Sequence, residues 1–170
     1  MGQTNFTVDK TAKKITMERV FEAPRSRVWQ AWTEPEQLAK WWGPRGWETT
    51  IKKFDFKPGG VWHYGMKCTD ESQGEWFGQT SWGIGTFKEI NPEEMFSYED
   101  AFTDESGKPN PDMPITPITN TFEETSDDKT KVISITQYSS DKDLQTVVDM
   151  GVEQGAKDTW DRLAEFVEKS

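Results

Sequence analysis

The chain of 170 residues carries twenty Lys and Arg against thirty Asp and Glu, a net charge of −10. That length fits one domain able to bury a real core. Nine Trp and ten Phe concentrate the apolar surface, each ring burying on the order of 150–250 Å². The negative charge disfavours nucleic acid and anionic membrane surfaces as partners, and no run reaches the ~20 apolar residues of a membrane span.

Residues 1–14 are polar and read as a frayed N-terminus without the apolar stretch of a signal peptide, which leaves 15–170 as a single folded domain in the cytoplasm. Residues 15–22 read as a first strand, with Ile15, Met17 and Val20 inward. Pro24 opens a short helix on which Val28, Ala31 and Trp32 share a face. Thr33 caps a second helix carrying Leu38, Trp41 and Trp42. From Trp47 the period switches to two, giving strands at about 47–56, 61–68, 82–90, 95–102, 116–124 and 131–138. Turns are expected at Lys57-Pro58-Gly59-Gly60, Asn91-Pro92-Glu93-Glu94 and Ser126-Asp127-Asp128-Lys129. The stretch 143–168 reads as one long amphipathic helix. One helix covers a sheet of this size only if the sheet curls around it, and a curled sheet leaves a hollow. Gly151 and Gly155 fall on the buried face of that helix, each costing about 1 kcal/mol relative to Ala. Two readings stand: another element packs closely there, or the glycines leave room for a ligand.

Few residues suit catalysis or metal binding. His63 is the one histidine and Cys68 the one cysteine, so no four-ligand zinc site and no internal disulfide can form. Alternation places Trp62, Tyr64 and Met66 on one side of their strand and His63 on the other. Cys68 lies in phase with the first set and reads as a small buried hydrophobe. Acid pairs at Asp70-Glu71, Asp104-Glu105 and Asp127-Asp128 match no calcium-loop spacing. Asp55, just before the Pro-Gly-Gly turn, is expected to bond turn amides. Glu89 interrupts an apolar strand end and is expected near a pocket mouth. Either would act as a general acid or base if buried without a partner. The aromatic set Trp62, Tyr64, Trp82, Phe87, Phe96, Tyr98 and Phe122, with Met66, forms the candidate ligand wall. Val148, Gly151, Val152 and Gly155 face it from the helix, and Asn120 brings an amide inside. The opposing reading is that these rings fill the space and leave a solid core.

In order and spacing, several motifs resemble a known family. Phe21-Glu22-Ala23-Pro24, Val28-Trp29, Ala31-Trp32-Thr33 and Pro35-Glu36 run into Trp41-Trp42-Gly43-Pro44. Asp55 with Pro58-Gly59-Gly60-Val61-Trp62, then Gly85-Thr86-Phe87-Lys88-Glu89-Ile90, and Met150-Gly151 leading to Asp161-Arg162-Leu163 follow. Over about residues 15–168 they resemble the bacterial relatives of the C-terminal domain of the activator of the heat-shock-protein-90 ATPase. That family lies within the START and birch-pollen-allergen-like superfamily of helix-grip folds. The resemblance implies an α+β helix-grip fold in element order β-α-α-β-β-β-β-β-β-α, about seven strands curved around the C-terminal helix. Two departures stand out: Ala156 where relatives carry Trp, and Asn120 where they carry an apolar residue.

Three functions follow as expectations. The first is binding, without a cofactor, of a small hydrophobic molecule of lipid-, aromatic- or polyketide-like kind. Trp62, Tyr64, Met66, Tyr98 and Val148 would supply contact and Asn120 orientation. The second is a chaperone accessory role in the stress response, through a surface that includes Trp76 and Phe77. The third is a cyclase or hydrolase using Asp55, Glu89 or His63, which no acid–base pair at a recognisable spacing supports.

Overall fold

Alternation of side chains along eight segments builds the sheet. In a computed structural model that describes residues 3–125 and 128–168, the strands are β1 (Asn5–Asp9), β2 (Lys14–Phe21), β3 (Trp47–Phe54), β4 (Val61–Cys68), β5 (Thr80–Asn91), β6 (Met95–Thr103), β7 (Thr116–Glu124) and β8 (Thr130–Gln137). They form one antiparallel sheet in the order β1-β2-β8-β7-β6-β5-β4-β3. It is curved and open. The expected turn at Ser126 and Asp127 lies outside the described residues.

The eighth strand comes from the segment expected to be frayed. Asn5 to Asp9 pair with Glu18 to Lys14, and the Ala12 amide donates to the Asp9 side chain at 3.0 Å across the turn. Phe6 and Val8 alternate with polar neighbours, so the polar average of residues 1–14 concealed a period-two strand. In β2 the same parity turns Ile15, Met17, Arg19 and Phe21 inward rather than Val20. Arg19 is accommodated by Asp161, which accepts its hydrogen bond at 2.6 Å.

Helices α1 (Arg25–Thr33) and α2 (Pro35–Trp41) close one end of the trough. Pro35 occupies the first position of α2, where its missing N–H costs nothing. Thr33 does not cap α2; its hydroxyl donates back to the Trp29 carbonyl within α1, and Glu34 takes the cap position without a side-chain bond. The Trp41 indole donates to the Ala31 carbonyl at 2.9 Å and ties the two helices together.

The expected single C-terminal helix is two helices. α3 (Asp141–Asp149), capped by Ser140, and α4 (Val152–Glu168) are separated by Met150 and Gly151. Gly151 has φ of +78°, the left-handed conformation that ends a helix and that side chains with a Cβ resist. Its position on the apolar face of a continuous periodic pattern hid this stop. α4 buries Thr159, Trp160, Leu163, Ala164 and Val167.

The trough is filled unevenly. Around Trp29, the rings of Phe56, Phe96 and Phe122 lie with centroids 5.1–5.9 Å away, mostly edge to face, and Phe87 adds to the group through Phe56 at 4.9 Å. This end is solid. Under α3 a second, smaller cluster of Ile15, Tyr138 and Leu144 receives Val147, Val148 and Val152. The space between the two clusters stays open.

Candidate functional site

A cavity of about 470 Å³ occupies that space, between the concave face of the sheet, the α3–α4 break and the Trp42-Gly43-Pro44 segment. Its volume is in the range of small-molecule sites. Of the residues singled out from the sequence, Tyr64, Met66, Tyr98, Asn120, Gly151, Val152 and Gly155 line it. Gly155 has nothing within 4 Å of where a Cβ would stand, so it faces open space rather than a packed neighbour.

The other expected lining residues lie elsewhere. Phe87, Phe96 and Phe122 belong to the solid aromatic end. Trp62 is fully buried behind Trp42 and Tyr64, with both centroids at 4.7 Å. Val148 packs in the cluster under α3. Trp82 is on the opposite face of the sheet, against His63 and under the Lys52 ammonium. His63 does turn away from the cavity, but it is buried there, with the 104–115 loop laid over it at Gly107.

Glu89 is exposed at a bulge between β5 and β6 instead of standing at the mouth. The extra residue of a bulge breaks the parity on which that expectation rested. The Asp55 carboxylate is half-exposed and pairs with Lys57 at 3.4 Å; the Lys57 amide donates to the Asp55 backbone carbonyl, not to its side chain. None of Asp55, Glu89 and His63 lines the cavity.

The polar chemistry of the cavity rests on residues that alternation alone could have flagged. Phe96, Tyr98, Asp100 and Phe102 share one face of β6, and Asp100 is the one Asp, Glu, Lys, Arg or His among the described lining residues. Tyr64 and Tyr98 reach inward by leaning over β5 at Gly83 and Gly85. A Cβ on Gly83 would stand 2.7 Å from the tip of Tyr64, and one on Gly85 3.0 Å from the Tyr98 ring. Gly83 therefore lets the Tyr64 hydroxyl cross β5 and donate to the Asp100 carboxylate, 3.0 and 3.2 Å from its oxygens. Burial pushes Asp100 up to about 7, and the Tyr64 hydrogen bond offsets part of that rise. The Tyr64 and Tyr98 phenols are pushed well above their usual range by burial and by the Asp100 charge. Tyr138 rises to about 12 for the same two reasons.

Asn120, on β7 across from Phe96, is 1% exposed, and among the described residues neither its amide nitrogen nor its oxygen has a hydrogen-bond partner. The indole N–H of Trp32, another lining residue, is also without a partner among the described residues. Buried polar atoms left this way cost about 1–3 kcal/mol each.

The family model of the Activator of Hsp90 ATPase homolog 1-like protein matches residues 22–168. The chain belongs to that family. A crystal structure from Mycobacterium smegmatis is 31% identical, covers 98% of both chains and superposes with a TM-score of 0.86. A solution structure from Arthrobacter aurescens is 26% identical over 98% of this chain and 92% of its own, with a TM-score of 0.87. Another from Staphylococcus epidermidis is 28% identical over 96% and 94%, at 0.79. No curated protein matches the chain. Among the described residues no helix is long and apolar enough to cross a membrane.

Proposed function

We propose that this protein binds a small, mostly apolar molecule in the cavity between sheet and α4, with Asn120 orienting it. The Asn120 amide carries the reading. A fully buried side chain with both polar atoms unpaired among the described residues is a standing cost to the fold, and a ligand bearing one acceptor and one donor would relieve it once the amide turns into the adjoining space. The walls suit such an occupant: Trp32, Met66, Tyr98 and Trp160 supply apolar surface, and Gly155 leaves room beside them. An environment-sensitive apolar dye should bind the folded protein at one site per chain. Asn120→Leu should weaken any occupant that hydrogen-bonds there while stabilising the empty protein. Absence of dye binding below millimolar concentration would remove this reading.

A specific surface feature favours a second reading, an accessory role toward a protein partner. Trp76 and Phe77 are 57% and 48% exposed in an acidic segment between β4 and β5, and exposed aromatic pairs are the kind of anchor that interfaces use. Replacing both with Ser should abolish any effect on the ATPase rate of the cognate heat-shock-protein-90 chaperone. If the unaltered protein has no effect on that rate, this reading fails.

A further inference from the structure

We propose that the cavity's ligand is an apolar amine, a molecule with one cationic nitrogen that docks on Asp100, a hydrocarbon body that extends toward Asn120 and a polar far end that bonds the Asn120 amide. The inference rests on the ligand-binding reading above and narrows it to a chemical class.

The first observation is charge. Asp100 is the one carboxylic acid among the described lining residues, and no lysine, arginine or histidine is among them to receive an anion. A carboxylate or phosphate ligand would enter a low-dielectric site beside a like charge, while a cation would meet its counter-charge. The net charge of −10 acts in the same direction at longer range.

The second observation is the set of groups around Asp100. Tyr64 is its one hydrogen-bond donor among the described residues, and a carboxylate accepts about four such bonds. Lone pairs therefore remain for a ligand N–H. Trp42, Tyr64, Tyr98 and Phe102 line the same cavity, and aromatic faces combined with a carboxylate are the usual recognition elements for ammonium groups.

The third is placement. Phe102, two residues beyond Asp100 on the same face, is 37% exposed, whereas Asn120 is 1% exposed. Asp100 thus stands toward the open side and Asn120 at depth. Asn120 pairs with Phe96, so the two polar residues are four strand positions apart, roughly 13 Å along the backbone. A decyl chain is of that order of length.

The groups that titrate near Asp100 are the phenols of Tyr64, Tyr98 and Tyr138, all raised out of the neutral range. Among the described lining residues, Asp100 alone changes charge between pH 6 and 8. Because it titrates at about 7, its ionised fraction rises roughly tenfold across that interval.

The test is a calorimetric comparison of decylamine, decanol and decanoic acid against the whole protein. Decylamine should bind at least about ten times more tightly than decanol at pH 8, decanoic acid more weakly than either, and the amine-to-alcohol ratio should fall several-fold at pH 6. Asp100→Asn should bring that ratio near one. The pH series on the unaltered protein stands even if the variant does not fold. Decanol binding as well as decylamine, or a ratio indifferent to pH, would overturn the amine assignment and leave the cavity reading intact. Binding by none of the three would overturn both.

Discussion

Replacing Asp100 by Asn should stabilise the protein at pH 8 and do much less at pH 5. The sign follows from linkage. Asp100 is raised from 3.8 to about 7 in the folded protein, so the folded state holds its proton more tightly than the unfolded chain does. Folding stability is therefore highest below the unfolded value and is lost as pH rises towards the folded value, with the full penalty present above about 7. Between pH 5 and 7 the loss would be about 2.7 kcal/mol at 1.36 kcal/mol per unit. Asp100 is only partly buried, at the open side of the cavity, so about 1–2 kcal/mol is expected after solvent screening. Asn keeps an acceptor for the Tyr64 hydroxyl without the charge. Urea unfolding followed by tryptophan fluorescence, on both proteins at both pH values, measures the effect. The difference between variant and parent should be about 1–2 kcal/mol more stabilising at pH 8 than at pH 5. An equal difference at the two pH values would show that Asp100 is not strained by burial, and the electrostatic description of the cavity would fail.

Other substitutions test the geometry separately. Gly83→Ala places a Cβ 2.7 Å from the Tyr64 ring; it should cost about 1–2 kcal/mol and raise the Asp100 titration midpoint further, readable from its carboxyl carbon shift, because the Tyr64 hydrogen bond is lost. Gly155→Ala meets nothing within 4 Å, so it should stabilise α4 by about 1 kcal/mol while narrowing the cavity and weakening dye binding. A thermal melt showing destabilisation would mean the residue is packed after all. Asp161→Ala removes the carboxylate partner of Arg19, whose side chain is 5% exposed and keeps only the Thr4 hydroxyl as a hydrogen-bond acceptor among the described residues; because Asp161 itself is half-exposed, a loss of about 1–2 kcal/mol is expected by urea unfolding.

Most of the sheet was readable because Val61 to Cys68 and Met95 to Phe102 alternate strongly and end at Pro-, Gly- or Asn-containing turns. β1 was lost because its two apolar residues sit among polar ones, and pairing with β2 supplies the stability its composition does not. The α3–α4 break was lost because a glycine inside a periodic pattern reads equally as a tolerated helix residue or as a stop, and its positive φ is set by tertiary placement. In the site, parity correctly put Tyr64, Met66, Tyr98 and Asn120 on the concave face. It could not distinguish the packed end of the trough from the hollow one, so Phe87, Phe96 and Phe122 were grouped with them. Asp100 shares the parity of Phe96 and Tyr98 and was legible on that ground. Its pairing with Tyr64 was not, because the two residues lie on strands separated by β5 and meet only through the gap at Gly83.

The central claim is that the space beside Asn120 is kept for an occupant. Native mass spectrometry of the protein purified without apolar additives tests it most directly. The expected spectrum has a fraction of molecules heavier by one small-molecule mass, and that fraction disappears in Asn120→Leu, which is also more stable when empty by about 1–2 kcal/mol. A spectrum with no added mass, together with an Asn120→Leu variant less stable than its parent, would contradict the claim.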